Sequence, residues 1–210
     1  MGFSTLLDIL GSTVVGGLLL LILFRISSAS VKNTYQNSGE LIVQQNLAEV
    51  VKLLEYDFRK IGYCQNYNNI PTSNAILSAT DSSIAFLTDV ATPSYPKGDG
   101  VLDTLKYYLG PMGSLTGTPN PADRMLYRVV NNDTPKGSNL GVSMFLLTYF
   151  GSLGNFLGHS ISNTNEIATI RIDLEVQDPY GYDDPYAGDS TYSSVFWRQI
   201  RMVAKNLNNR

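Results

Sequence analysis

The chain opens with an apolar run that passes directly into an amphipathic helical pattern, and few folds accommodate such a beginning. Phe3 to Phe24 hold one ionisable residue, Asp8, among Leu, Ile, Val, Gly and small hydroxyl residues. As a helix these 22 residues span about 33 Å, enough to cross a hydrocarbon core of about 30 Å. Arg25 ends the run, and a helical pattern continues to Ile61. An unbroken rod over Phe3 to Ile61 would approach about 90 Å, half in an apolar phase and half against a globular domain. Gly16-Gly17 and Gly39 are its weak points, because glycine costs about 1 kcal/mol in a helix interior.

Beyond Arg25 the periodicity sharpens. Val43, Leu47, Val50, Leu54 and Ile61 fall at spacings of three, four or seven, and Val51 and Phe58 broaden the stripe. Glu40, Gln44, Gln45, Glu49, Lys52 and Lys60 take the opposite face, and Gly62 is placed to stop the helix.

The apolar run admits a retained anchor, a removed signal peptide or a buried core helix. A signal peptide wants a basic flank and a shorter apolar core. No Lys or Arg precedes the run here, although Ser27-Ser28-Ala29-Ser30 could serve as a cleavage site and leave a chain starting near Val31. Arg25 and Lys32 follow the span, a weak charge bias toward a cytoplasmic C-terminus. Asp8 lies about two turns inside the span. A carboxylate at that depth is costly and asks for a partner, such as the α-amino group of a neighbouring copy, unless it sits at the interface and hydrates the helix start.

The remainder has the pattern of an antiparallel β domain. Ile76-Leu77 and Ile84 to Leu87 flank a turn at Asp81-Ser82-Ser83, a hairpin signal. Leu102 to Leu109, Arg124 to Val130, Ile167 to Val176 and Ser194 to Val203 have strand character, whereas Met144 to Phe150 is an apolar run of ambiguous type. The expected fold class is α+β, a long N-terminal helix packed on an antiparallel sheet. Three segments follow: residues 1–25 as a transmembrane or filament-core segment, 26–62 as its amphipathic continuation, and 63–210 as a β-rich head.

Few sites of chemistry are visible. The net charge of −3 carries no basic footprint for nucleic acid. His159 is the only histidine, in a Gly/Ser/Asn loop, and Cys64 is the only cysteine, with no second thiol to pair or share a metal. No nucleotide-binding loop or H-E-x-x-H pattern occurs, so no enzyme, cofactor or small-molecule substrate is expected. Asp178, Asp183, Asp184 and Asp189 lie in an acidic, tyrosine-rich loop and offer hard oxygen ligands suited to calcium, at spacings that match no EF-hand. The same loop could be solvated or form a subunit contact. Asp99-Gly100 and Asp103 make a second, weaker acidic turn.

The order of motifs resembles type IV pilin-like proteins, and within them the J-type minor pseudopilins of type II secretion and the W-type minor pilins. Gly2-Phe3-Ser4 ahead of an apolar helix resembles the processed junction of prepilins, which makes Gly2 and Phe3 a candidate processing site. Leu53 to Tyr63 (LLEYDFRKIGY) resembles the end of the first helix in that subgroup. The segments SSIAFLTDV, GDGVLDTLKYYL and LYRVV then follow in the family's order, and WRQIRMVAKNL resembles its terminal strand. The family's glutamate at the fifth mature position falls on Leu7, with Asp8 the nearest acid, and only Met1 precedes Gly2, so an uncleaved or Met-trimmed subunit is the alternative to cleavage. The resemblance implies a single-pass inner-membrane protein with an extracytoplasmic head, which joins other copies or other pilin-like subunits in a periplasmic or extracellular filament. Phe3 and Asp8 would then act in assembly. The competing function is a membrane-anchored extracytoplasmic binding domain that never polymerises.

Overall fold

The computed structural model describes residues 2–71, 74–183, 190–192 and 195–203. Helix α1 runs from Gly2 to Arg59 without a break. It contains no proline, and the two glycine sites expected to weaken it stay helical. At 1.5 Å per residue it is about 87 Å long. The regular helix ends two residues before the expected Ile61, whose N–H still closes a tight turn on Phe58 O. Gly62 then takes φ +73° and donates its N–H to Leu87 O at 2.8 Å. The stop is thereby fastened to the sheet.

The strands are β1 (Ile76–Ala79), β2 (Ser83–Thr88), β3 (Asp103–Leu109), β4 (Arg124–Val130), β5 (Lys136–Phe150), β6 (Phe156–Gly158), β7 (Thr169–Gln177), β8 (Tyr182–Asp183), β9 (Ser190–Thr191) and β10 (Val195–Val203). The main sheet is antiparallel in the order β1-β2-β3-β4-β5-β7-β10, with β6 added beside β5; β8 and β9 pair separately. The fold is therefore α+β, as expected. The ambiguous run Met144 to Phe150 is the second half of a 15-residue strand that starts at Lys136. Its first half pairs with β4 and its second half with β7, and the register shifts near Val142.

Gly141 sits at that junction. Its φ is +73°, and a Cβ there would lie 2.1 Å from Gln177 O, so only glycine lets β5 change partners at this point. The resulting bend curls the sheet. Leu147 N–H reaches Asp81 O at 2.7 Å and the Tyr149 hydroxyl reaches Thr80 O at 2.7 Å, which brings the far end of β5 onto the β1–β2 turn.

The C-terminal half of α1 lies in the curl against β5, β7 and β10. Its buried residues are Gly39, Val43, Val50, Val51, Leu54, Asp57 and Phe58. Of the expected stripe, Val43, Val50, Val51, Leu54, Phe58 and Ile61 are buried, and Leu47 is partly buried against them. Glu40, Gln44, Gln45, Glu49 and Lys52 are exposed, and Lys60 is half-buried. Phe58 meets Phe86 edge-on with ring centroids 5.4 Å apart, and Tyr107 at 5.8 Å. These contacts join the helix to the β2–β3 side of the sheet.

Candidate functional site

The apolar half of α1 is the feature that departs most from a soluble domain. Every residue from Gly2 to Val31 is exposed, including Phe3, Leu6, Leu10, Leu18, Leu21 and Phe24. None of the most apolar stretch is buried against the head, which rules out the core-helix alternative. Among the described residues, α1 is the one helix long and apolar enough to cross a membrane. An apolar face of this extent has to be covered by lipid or by protein.

The polar residues within it are compatible with either covering. Thr5 donates its hydroxyl to Gly2 O at 3.0 Å, Ser12 to Ile9 O at 2.9 Å and Thr13 to Leu10 O at 2.9 Å. Each hydroxyl is thus satisfied inside the helix, which removes most of its cost in an apolar medium. Asp8 stands exposed on the same segment. Four-residue spacing puts Ser4, Asp8, Ser12 and Gly16 on one face, the narrow side of the helix, where a neighbour's backbone can approach closely.

Three sets of contacts fix the direction in which this half leaves the head. Gly39 is the first buried residue of α1, and a Cβ there would lie 2.7 Å from Asp178 Oδ2. Gly39, a weak point by propensity alone, is thus where the Asp178 carboxylate after β7 rests against the helix. The other carboxylate oxygen of Asp178 accepts the Tyr180 N–H at 3.0 Å. Near the far end, Asp57 is buried and accepts hydrogen bonds from the Tyr107 hydroxyl and from Arg128, whose Nε donates at 2.7 Å and Nη2 at 3.4 Å. Burial and the Asp57 charge raise the Tyr107 hydroxyl pKa well above its usual value, so the phenol stays a donor. Arg128 is likewise held protonated by Asp57, against the opposing effect of desolvation. This ion pair ties the helix to β3 and β4. Asp57 stands within LLEYDFRKIGY, but its partners lie 50 and 71 residues away, so periodicity offers no means of finding them.

The third set lies just past the helix. Asp89 is fully buried, and its carboxylate accepts N–H groups from Gln65 at 3.0 Å, Asp99 at 3.0 Å and Gly100 at 2.9 Å. Cys64 is buried beside it and donates its thiol to Gly100 O at 3.4 Å. Burial raises the thiol pKa, and the Asp89 charge and hydrogen bond push it the same way. The acidic turn at Asp99 and Asp103 has a bracing role. Asp99 Oδ1 accepts the Val101 N–H, and Asp103 accepts from the Val90 N–H and the Asn131 side chain.

Asp178 lies against Gly39 of α1. Asp183 lies in β8, and Asp184 and Asp189 fall outside the described residues. Among the described residues, no three His, Cys, Asp or Glu side chains converge. His159 is exposed, with Nδ1 3.0 Å from Leu147 O and its ring against Phe156. Gly2, Phe3 and Asp8 all lie on the exposed end of α1, more than about 45 Å along the rod from its first buried residue.

No protein-family model matches the chain, and no curated protein matches it. Among solved structures, a type IV-like pilin from Thermus thermophilus is similar to 78% of this chain and 96% of that one, with a TM-score of 0.48 and 11% sequence identity.

Proposed function

We propose that this chain is a structural subunit, of the minor pilin or minor pseudopilin kind, in a type IV pilus-like or type II secretion-like filament. The observation that carries the proposal is the wholly exposed apolar half of a helix whose other half is locked into the head. Before assembly the membrane covers that half, as a single-pass anchor with the head on the extracytoplasmic side. In the filament, the corresponding helices of neighbouring subunits cover it. Each fully covered Leu or Ile contributes about 1.5–3 kcal/mol relative to exposure in water, so a bundle of such helices is stable once it has left the lipid. Asp8 sets the axial register by pairing with the N-terminal amine of the next subunit, and Phe3 packs beside it. Gly2-Phe3 is the processing junction. The rod carries the head outward without a flexible joint, because Gly39, Asp57 and Gly62 fasten the helix to the sheet.

The decisive experiment is sedimentation of sheared surface or periplasmic fractions from cells that express the full chain, with the pellet probed for this subunit. Its presence in sedimentable filaments supports the proposal. Recovery only as detergent-soluble monomer would instead establish an anchored, non-polymerising domain. The intact mass of the mature protein distinguishes cleavage after Gly2 from a chain retaining Gly2 and from one starting near Val31.

A further inference from the structure

Beside the locked end of α1, one part of the head is left open. Between the helix and strands β4 and β5 lies a cavity of about 180 Å³, walled by Val50, Leu53, Leu126 and Leu140 and completed by Arg128 and Lys136. An apolar cavity of about 150 Å³ holds a benzene ring, so this one has room for one aromatic side chain. Leu53 is 44% exposed in its wall. A pocket that desolvates one aromatic anchor is the usual centre of a protein contact.

The cavity also carries charge. Arg128 and Lys136 stand directly opposite each other in the β4–β5 ladder. Like charges in such a pair are destabilising. Arg128 is matched by Asp57, whereas Lys136 is exposed and forms no ion pair among the described residues. The site therefore suits an aromatic ring carried next to carboxylates.

The chain itself carries such a group. The segment after β7 presents Tyr180, 70% exposed, and from Asp178 to Asp189 the sequence holds four aspartates and no Lys or Arg. Being exposed, Tyr180 does not fill the cavity of its own chain. Asp178 rests at Gly39, whereas the cavity opens beside Val50 and Leu53, 11 to 14 residues further along α1, or about 17–21 Å. A second copy displaced along the rod by about that distance brings its acidic segment level with the cavity.

We propose that the cavity between α1 and β4–β5 is the socket for Tyr180 of a second copy, with Lys136 facing Asp183 and Asp184 of that copy. Socket and knob are different surfaces, so the contact is heterologous. Each copy keeps a free knob for one neighbour and a free socket for another, and repetition gives an open helical array. The proposal rests on the filament reading for its setting, but the contact is between heads and is measured without filaments.

The test is photo-cross-linking of the full chain in a neutral detergent, where no bilayer holds two helices at one height. One population carries Tyr180→p-azidophenylalanine, which keeps the ring; the other is the parent chain labelled with ¹⁵N. The expected adduct, mapped by mass spectrometry, joins position 180 to the Val50–Leu53 or Lys136–Leu140 peptide of the labelled copy. Lys136→Glu in the labelled copy lowers its yield about tenfold, the effect of placing like charges together. Asp183→Lys with Asp184→Lys in the azide copy then restores it, which also shows that the variants fold. Tyr67→p-azidophenylalanine, at a position 87% exposed, gives no adduct at the cavity. An adduct within one chain, on lipid or another protein only, or at a yield indifferent to Lys136→Glu overturns the assignment. Because the sedimentation experiment reads filaments and this one reads a head contact, failure of either is told apart from failure of the other.

Discussion

Replacing Asp57 with alanine should loosen the end of α1 from the sheet about as much as an apolar truncation at the same level, such as Phe58→Ala. The Asp57 side chain is 4% exposed and that of Arg128 26%. Breaking a buried pair by removing one partner costs about 3–5 kcal/mol, and the partial exposure of Arg128 places this case near 3. The Tyr107 hydroxyl, on a residue 1% exposed, also loses its acceptor, a cost of about 1–3 kcal/mol that overlaps the first rather than adding fully to it. A total of about 3–4 kcal/mol follows, a large share of the 5–15 kcal/mol typical of a domain. Asp57→Asn should cost less, because it keeps an acceptor for Tyr107. The triple change Asp57→Leu, Tyr107→Phe, Arg128→Met should recover most of the loss, since buried ion pairs are often replaceable by apolar residues as a set. The assay is urea unfolding of the full chain in detergent, followed by fluorescence of Trp197, the only tryptophan. A loss below about 1 kcal/mol for Asp57→Ala, the value of a surface pair, would refute the argument that this ion pair locks helix to head.

Other outcomes follow from the same geometry. Gly39→Ala gains about 1 kcal/mol of helix propensity, yet its Cβ must displace Asp178 from 2.7 Å. The displaced atom is the end of a side chain, so the two effects should largely cancel in urea unfolding, and Gly39→Ala with Asp178→Ala should be more stable than Gly39→Ala alone. Cys64 should react with a maleimide in the native protein at least tenfold more slowly than in urea, because burial and Asp89 keep it a thiol; equal rates would contradict its placement. Burial raises the Asp123 pKa, so the folded state holds this proton more tightly than the unfolded state. Its contribution is full below the ordinary aspartate value and is lost as pH rises through the folded value. The stability difference between parent and Asp123→Asn, followed from pH 3 upward, should therefore move steadily in favour of the variant, and a flat difference would count against it. Asp8→Ala should reduce sedimentable filament while leaving head stability unchanged, and equal filament yield would remove Asp8 from any role in register.

What could be read from the chain alone has a local cause. A helix repeats every 3.6 residues and a strand every two, so the stripe from Val43 to Ile61 and the alternation of Ile167 to Val176 announce their elements and buried faces without reference to the rest of the molecule. The exposed apolar half of α1 was equally legible, because its length and lack of charge are properties of one short window. Tertiary structure decided what depends on residues distant in sequence. Met144 to Phe150 became half of a long strand only because Gly141 lets β5 exchange β4 for β7. Gly39 changed from a defect to a contact once Asp178 lay across it. Asp57 and Asp89 are one residue type in unremarkable local sequence, and folding gave the first an ion pair and the second a set of backbone donors. The physical reason is the range of the forces. Backbone periodicity is set within a turn or two, whereas the fate of a buried charge depends on the groups that long-range packing brings within about 3 Å of it.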